Sequence, residues 1–232
     1  MALKTDAIMF LPALLCDTRL YDRAVTHFGS MLDVVVPELL CHENLADMAT
    51  EVLASAPSRF ALVGNSMGGY MALEIMAQAP ERVSHMALVG TNAHADLRAA
   101  REKREQAIRL AERGRFDQFV DGYVEGALAS AHRERCGPVM RAMARALGPE
   151  ILVRQQKAIM ARADHIRLLE RITVPSLVMM GRHDSLSDIR HQRLMAGTLP
   201  KARFYEVPGS GHLVPLEAPE LFNAALTALL AV

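Results

Sequence analysis

The chain has 232 residues, with 26 basic against 26 acidic side chains and 51% apolar residues. That apolar content fills the core of a domain this size, and it excludes disorder, which combines few apolar residues with a large charge imbalance. No basic excess or stacking aromatic set suggests a nucleic-acid partner, and no stretch approaches the roughly 20 apolar residues of a membrane span.

Ala7–Leu11 reads as the first strand. The apolar run Ile8–Cys16 behind Lys4 looks superficially like a secretory segment, but Pro12 interrupts it and no small-residue cleavage site precedes Asp17 and Arg19. A strand plus its loop is therefore expected, and a cytoplasmic location with it. A helical pattern over Thr18–Phe28 follows, then a strand at Val34–Val36 and a helix over Leu45–Ala56 with Asn44 as its N-cap. Strand Phe60–Val63, helix Met67–Gln78 and strand Met86–Val89 continue the alternation. Residues 93–171 break it, reading as several helices punctuated by Gly114, Gly137–Pro138 and Gly148–Pro149. This stretch holds sixteen Lys/Arg against eleven Asp/Glu, so the rest of the chain carries the compensating negative excess. Strand Ser176–Met180, helix Asp188–Gly197, strand Arg203–Val207 and helix Pro219–Leu230, with Pro219 in its first turn, complete the chain.

The strands lack strict polar/apolar alternation, as expected when helices cover both sheet faces. The predicted architecture is α/β: a core from residues 1–92 and 172–232, with a helical cap inserted at 93–171. Cys16, Cys41 and Cys136 are too widely spaced for a disulfide framework or a zinc set and read as incidental thiols of a reducing compartment. No metal-ligand pattern is visible, and no cofactor is expected.

The most informative segment is Phe60-Ala61-Leu62-Val63-Gly64-Asn65-Ser66-Met67-Gly68-Gly69-Tyr70. A G-x-S-x-G pattern arises by chance in roughly one chain of this length in ten, so its context decides. An apolar strand precedes it and a helix-period run follows. A serine on a sharp strand-to-helix turn is lifted clear of the sheet, and small residues two positions away let strand and helix pass closely. A phosphate loop would need Lys-Ser/Thr after its last glycine, where Tyr70 and Met71 stand, and the dinucleotide glycine spacing is missing.

From these residues, together with Gly181-Arg182-His183-Asp184 and Gly209-Ser210-Gly211-His212, the sequence resembles an α/β-hydrolase of the capped, single-domain kind, similar to the pimeloyl carrier-protein methyl ester esterases. The resemblance runs from Ala7 to Leu230. The family's leading β-hairpin is not expected before Ala7, so the resemblance implies about six mostly parallel strands rather than eight. It also raises the prospect that the exposed first edge serves dimerisation; monomer and homodimer both stay open.

A serine hydroxyl needs a base. Of nine histidines, His212 lies in a glycine-rich loop after the last strand, where the family places its catalytic histidine; His183 and His191 are rivals. His27, His42, His85, His94, His132 and His165 read more simply as surface or cap residues. The orienting carboxylate is assigned to Asp184 at a strand's carboxyl end, with Asp188 as fallback, and the order Ser66, Asp184, His212 is the family's. The oxyanion donors are expected to be the amides of Met67 and Leu14, with Ala13 or Leu15 as substitutes, because Pro12 has no N–H. Leu14, Met67 and Leu213 are expected beside the substrate. Met67, Met71, Met76, Met140, Met143 and Met160 read more simply as core filler than as pocket lining.

The resemblance implies a carboxylesterase acting on a small or medium acyl group through an acyl-enzyme. Carbon–carbon bond or thioester hydrolysis with the same triad, and a ligand-binding protein without turnover, are the alternatives. The basic cap hints at an anionic or carrier-protein-linked substrate. Arg101-Glu102-Lys103-Arg104-Glu105, however, reads more simply as a solvated helix face.

Overall fold

The computed structural model describes residues 3–232. Six strands, β1 (Ala7–Leu11), β2 (Asp33–Val35), β3 (Phe60–Asn65), β4 (Val83–Val89), β5 (Ser176–Gly181) and β6 (Ala202–Val207), form one sheet. Its order is β2-β1-β3-β4-β5-β6, and every neighbouring pair is parallel. Strands β1, β3, β4 and β5 are buried at every residue, which is why their sequences are continuous apolar runs. The edges are β2 and β6, both partly exposed. The first strand is thus interior, and the edge on that side is the three-residue β2. Strand β4 begins before its apolar pattern does, because Ser84 and His85 are buried in it. His85, read as a surface or cap residue, belongs instead to the core. Burial, with the charges of Arg59 and Lys4 behind it, lowers its pKa, and Ser84 Oγ lies 3.1 Å from its Nδ1.

The flanking helices follow their patterns. Helix α1 (Asp22–Phe28) continues a 3-10 turn at Thr18–Tyr21; α2 (Leu45–Ser55) and α3 (Met67–Gln78) come next. Asn44 caps α2 as predicted, its Oδ1 accepting from Asp47 N at 2.7 Å. Between β4 and β5 lie α4 (Arg98–Glu112), α5 (Phe116–Ala127), α6 (Arg133–Met160) and α7 (Ile166–Leu169). Gly137–Pro138 sits inside α6 without breaking it, whereas Gly148, at φ 83°, kinks it. His165 N donates to Ala93 O at 2.7 Å and closes this helical segment at its base. Helix α8 (Ile189–Thr198), the one-turn α9 (Val214–Glu217) and α10 (Pro219–Leu230) end the chain.

Phe10 of β1 packs on Tyr21 at 4.8 Å between ring centroids and on Phe28 and Phe222 at 6.2 and 6.3 Å, joining the sheet to α1 and α10. Each such ring contributes about 1.5–3 kcal/mol by leaving water. The chain runs from β1 outward to β2 and then crosses to β3 on β1's other side, so the order reverses there. At such a switch point the loops leaving the strands' carboxyl ends diverge and open a crevice. The loops after β1 and β3, and farther along after β5 and β6, all end at this edge of the sheet.

Candidate active site

The turn from β3 into α3 holds Ser66 at φ 55° and ψ −112°, a conformation that costs a non-glycine residue about 1–3 kcal/mol. Its surroundings impose it. Ser66 N donates to Val89 O and Thr91 Oγ1 donates to Ser66 O, both at 2.8 Å. A Cβ at Gly64 would collide with the Gly68 carbonyl, and one at Gly68 with the Leu11 carbonyl, so β1, β3 and α3 meet only because both positions are glycine. The Ser66 side chain makes no capping bond to α3 and is not spent on the helix. Met67 N–H, the first amide of α3, has no intrahelical acceptor.

Two loops converge opposite this turn. Arg182 N donates to Val207 O at 2.9 Å and His183 N to Ser210 O at 2.8 Å, so the segments after β5 and β6 stay zipped past the sheet. A Cβ at Gly181 would strike the backbone of Ser210 and Gly211, which explains the glycine there. The result brings His212 Nδ1 to 2.9 Å from Asp184 Oδ2. Asp184 Oδ1 accepts from Leu186 N and Ser187 N, each at 2.9 Å. Gly90, at φ 54°, lies directly beneath the pair; a Cβ there would sit 3.2 Å from both Asp184 Oδ2 and His212 Nδ1.

Burial alone would lower the His212 pKa, but the charge and hydrogen bond of Asp184, with the charge of Glu217, outweigh it and leave it above the ordinary 6.5. Burial pushes Asp184 up; His212 and the two amides more than compensate, and its pKa lies below 3.8. Ser187 Oγ is also 3.4 Å from Nδ1. Both contacts use Nδ1, which leaves Nε2 for the cavity.

In the loop after β1, Leu15 N donates to Gln155 Oε1 at 2.9 Å and Cys16 N to Ala13 O at 3.0 Å. Leu15, one of the substitutes for Leu14 as an anion donor, is therefore already committed. Gln155, buried on α6, also donates from Nε2 to Leu39 O at 3.0 Å, so the helical segment holds this loop from above.

Ser66, His212 and Leu14 share the wall of one cavity of about 510 Å³, roofed by α4, α5 and α6. Met67 and Leu213 do not reach it: their side chains, 1% and 0% exposed, turn into the core behind the residues they adjoin. The wall is formed instead by Tyr70, Phe119, Tyr123, Ile159 and Leu186, among others, while the six methionines pack elsewhere. Asp188 caps α8, accepting from Arg190 N at 2.8 Å; its side-chain bond to Arg190 lowers its pKa to about 2. His191 lies beside His94, with the two rings tilted and their centroids 5.0 Å apart, and neither it nor His183 lines the cavity.

The charge run on α4 divides. Arg98–Glu102 and Glu105–Arg109 pair on the solvated face at 3.0 and 3.8 Å. Lys103 and Arg104 line the cavity, whose wall contains no Asp or Glu among the described residues. Arg104 is held by Asp96 at 2.6 Å and Gln156 at 3.1 Å; among the described residues Lys103 makes no ion pair.

Sequence reasoning missed four polar residues that hold the site: Asn65, Gln155, Ser187 and Glu217. Asn65 Nδ2 donates to Val89 O at 3.0 Å and His212 O at 3.2 Å, tying the turn to the histidine loop. It is the first of the two variable positions of G-x-S-x-G, and a polar residue closing an otherwise apolar strand was the available signal. The other three gave none: Gln155 meets its partners across more than a hundred residues, and Ser187 and Glu217 bond largely to backbone groups, which leave no mark in the sequence.

The fold and the elbow define an α/β-hydrolase. A family model described as "Alpha/beta hydrolase family" matches residues 8–225, and the chain belongs to that family. It is similar to the pimeloyl-[acyl-carrier protein] methyl ester esterase of Chromobacterium violaceum, with 28% identity over 78% of this chain and 74% of that one. Among solved structures, a thermophilic esterase from Thermogutta terrifontis superposes with a TM-score of 0.85 at 21% identity, covering 98% of this chain and 90% of the other. The enol-lactonase from Burkholderia xenovorans LB400 also gives 0.85, at 20% identity, over 98% and 93% of the two chains. The protein is a hydrolase of this family. Among the described residues no helix is long and apolar enough to cross a membrane.

Proposed function

We propose that the chain is a serine hydrolase that cleaves carboxylic esters of small or medium acyl groups, with Ser66 as nucleophile, His212 as base and Asp184 as its orienting carboxylate. The observation that carries this reading is the His212 imidazole, bound to Asp184 through Nδ1 in the wall of the cavity that also contains Ser66. Asp184 fixes the proton on Nδ1, so Nε2 is free to accept one. Ser66 and His212 are not hydrogen-bonded to each other here; catalytic bonds of this kind tighten when substrate binds.

Ser66 Oγ attacks the ester carbonyl carbon as its proton passes to His212 Nε2. The carbonyl π electrons move to oxygen, which the amides of Met67 and Leu14 stabilise. Collapse breaks the bond to the alcohol oxygen, which takes the proton from His212. Water, deprotonated by the same imidazole, then attacks the acyl-enzyme, and Ser66 leaves with the proton. Residues 93–171 act as the cap that roofs the cavity. Lys103, an unpaired cation in a wall without carboxylates, favours an acyl group bearing a distal negative charge.

The test is hydrolysis of p-nitrophenyl esters of increasing chain length, beside a thioester and a carbon–carbon-cleavage substrate. Ester turnover abolished by Ser66→Ala is expected. Full ester turnover in Ser66→Ala would overturn the assignment, and preferential thioester or carbon–carbon cleavage would reassign the substrate while keeping the residues.

A further inference from the structure

Glu217, at the end of α9, has a side chain with no solvent exposure in a protein whose ester chemistry does not require it. Its Oε2 accepts from Ala129 N and Gly211 N, each at 2.9 Å, and its Oε1 accepts from Leu213 N at 3.1 Å. Two of these amides flank His212 on either side. The third belongs to the loop between α5 and α6. A fourth tie runs parallel to them: His212 N donates to Ala127 O at 2.7 Å. Gly211 makes this approach possible, since a Cβ there would lie 2.6 Å from both Ala127 O and Ala129 N.

Taking a carboxylate out of water is costly unless charge-assisted bonds replace its hydration. Three amides from two segments supply them, so the carboxylate keeps its full set of donors only while loop and histidine segment remain together. We infer that Glu217 is a positioning residue, coupling the cap loop Ala127–His132 to the backbone on both sides of His212 so that the placement of the cap sets the placement of the base. The inference rests on the serine-hydrolase reading above. In consequence, the imidazole is held from three directions: Asp184 at the ring, Asn65 at the carbonyl, and Glu217 at the neighbouring amides.

The groups facing the pair are few. Asp184 from the β5 loop faces His212. His132 Nδ1 lies 3.4 Å from Glu217 Oε2 and has no hydrogen-bond partner among the described residues, Arg135 of α6 donates to Glu217 O at 2.8 Å and Leu216 O at 3.2 Å, and the buried Cys136 thiol of α6, 3.5 Å from Leu216 O, also faces the Glu217 charge. Glu217 thus faces the Arg135 guanidinium on the cap side while its charge, together with that of Asp184, favours the imidazolium of His212.

Glu217→Gln keeps the size, removes the charge and turns one acceptor oxygen into a donor facing an N–H. The experiment measures the rate of Ser66 labelling by a fluorophosphonate, and kcat and KM for a p-nitrophenyl ester, from pH 5 to 9 in wild type and variant. Expected are slower labelling and a kcat lowered by up to about 10²-fold, the cost of a misplacement of about 1 Å, with KM nearly unchanged. The acid limb of the kcat/KM profile also moves to lower pH, because one of the charges that raise the His212 pKa is gone. A passive structural role would leave that limb in place. Labelling rate and acid limb equal to wild type would overturn the inference, whereas wild type that is not labelled at all would overturn the serine-hydrolase reading instead. Should Glu217→Gln not fold, Glu217→Asp retains the charge but shortens the reach. It is expected to slow labelling with the acid limb unmoved, and a wild-type labelling rate in that variant overturns the inference equally.

Discussion

Asp184→Asn separates geometry from proton placement at the proposed base. The two amide donors at 2.9 Å, Leu186 N and Ser187 N, both bind Oδ1, so the asparagine oxygen stays with them. Its NH2 then takes the place of Oδ2, 2.9 Å from His212 Nδ1. Two donors cannot bond, and the ring moves its proton to Nε2, where it can no longer accept one from Ser66. The expected loss in kcat is about 10³–10⁴, or about 4–5.5 kcal/mol at about 1.36 kcal/mol per decade. The assay is p-nitrophenyl butyrate hydrolysis at pH 8, with thermal unfolding of the variant as the control for folding. The residual activity should show its acid limb at lower pH than wild type, since the carboxylate that raises His212 is gone. A folded Asp184→Asn variant within tenfold of wild type would refute the reasoning. The same pair has a signature in stability. The folded pKa of Asp184 is depressed below 3.8, so its contribution is complete above 3.8 and is lost as pH falls through the lower folded value. The folded pKa of His212 is raised, so its contribution is complete below 6.5 and is lost as pH rises through the folded value.

Other perturbations test the supports. Gly68→Ala drives a methyl into the Leu11 carbonyl and should cost about 3 kcal/mol or more in urea unfolding; a near-neutral result would contradict the close crossing of β1 and α3. Gln155→Leu strands the buried Leu15 N–H and Leu39 carbonyl. A stability loss of about 1–3 kcal/mol is expected by calorimetry, with kcat falling more than KM rises. Lys103→Gln should raise KM for a monoester of a dicarboxylic acid by up to about fivefold, the roughly 1 kcal/mol an exposed ion pair supplies, and leave a neutral ester unchanged. Equal effects on both esters would remove the anionic preference.

The sheet was legible because its interior strands are covered on both faces, which forces continuous apolar runs such as Met86–Val89 and Ser176–Met180. The convergence of Ser66, Asp184 and His212 was legible because each follows a strand, and because Gly64, Gly68, Gly181 and Gly211 nearby mark close backbone crossings. His85 was misplaced because a buried histidine paired with its own neighbour Ser84 leaves no pattern distinguishing it from a surface one. Met67 and Leu213 were expected at the substrate by adjacency. A residue next to a side chain that points into the cavity points the opposite way, and both face the core. The cavity wall was illegible because it comes from α4, α5 and α6, whose orientation over the sheet is a tertiary property. Gln155 and Glu217 were invisible for a related reason. Each serves backbone amides, which any sequence can supply, and Gln155 meets its partner Leu15 across 140 residues.

The most direct test of the central claim is mass spectrometry of the protein after exposure to a fluorophosphonate. One adduct on Ser66 is predicted, absent from Ser66→Ala and forming faster as pH rises through the His212 pKa. A folded protein that takes up no reagent, or takes it up at another residue, would contradict the account.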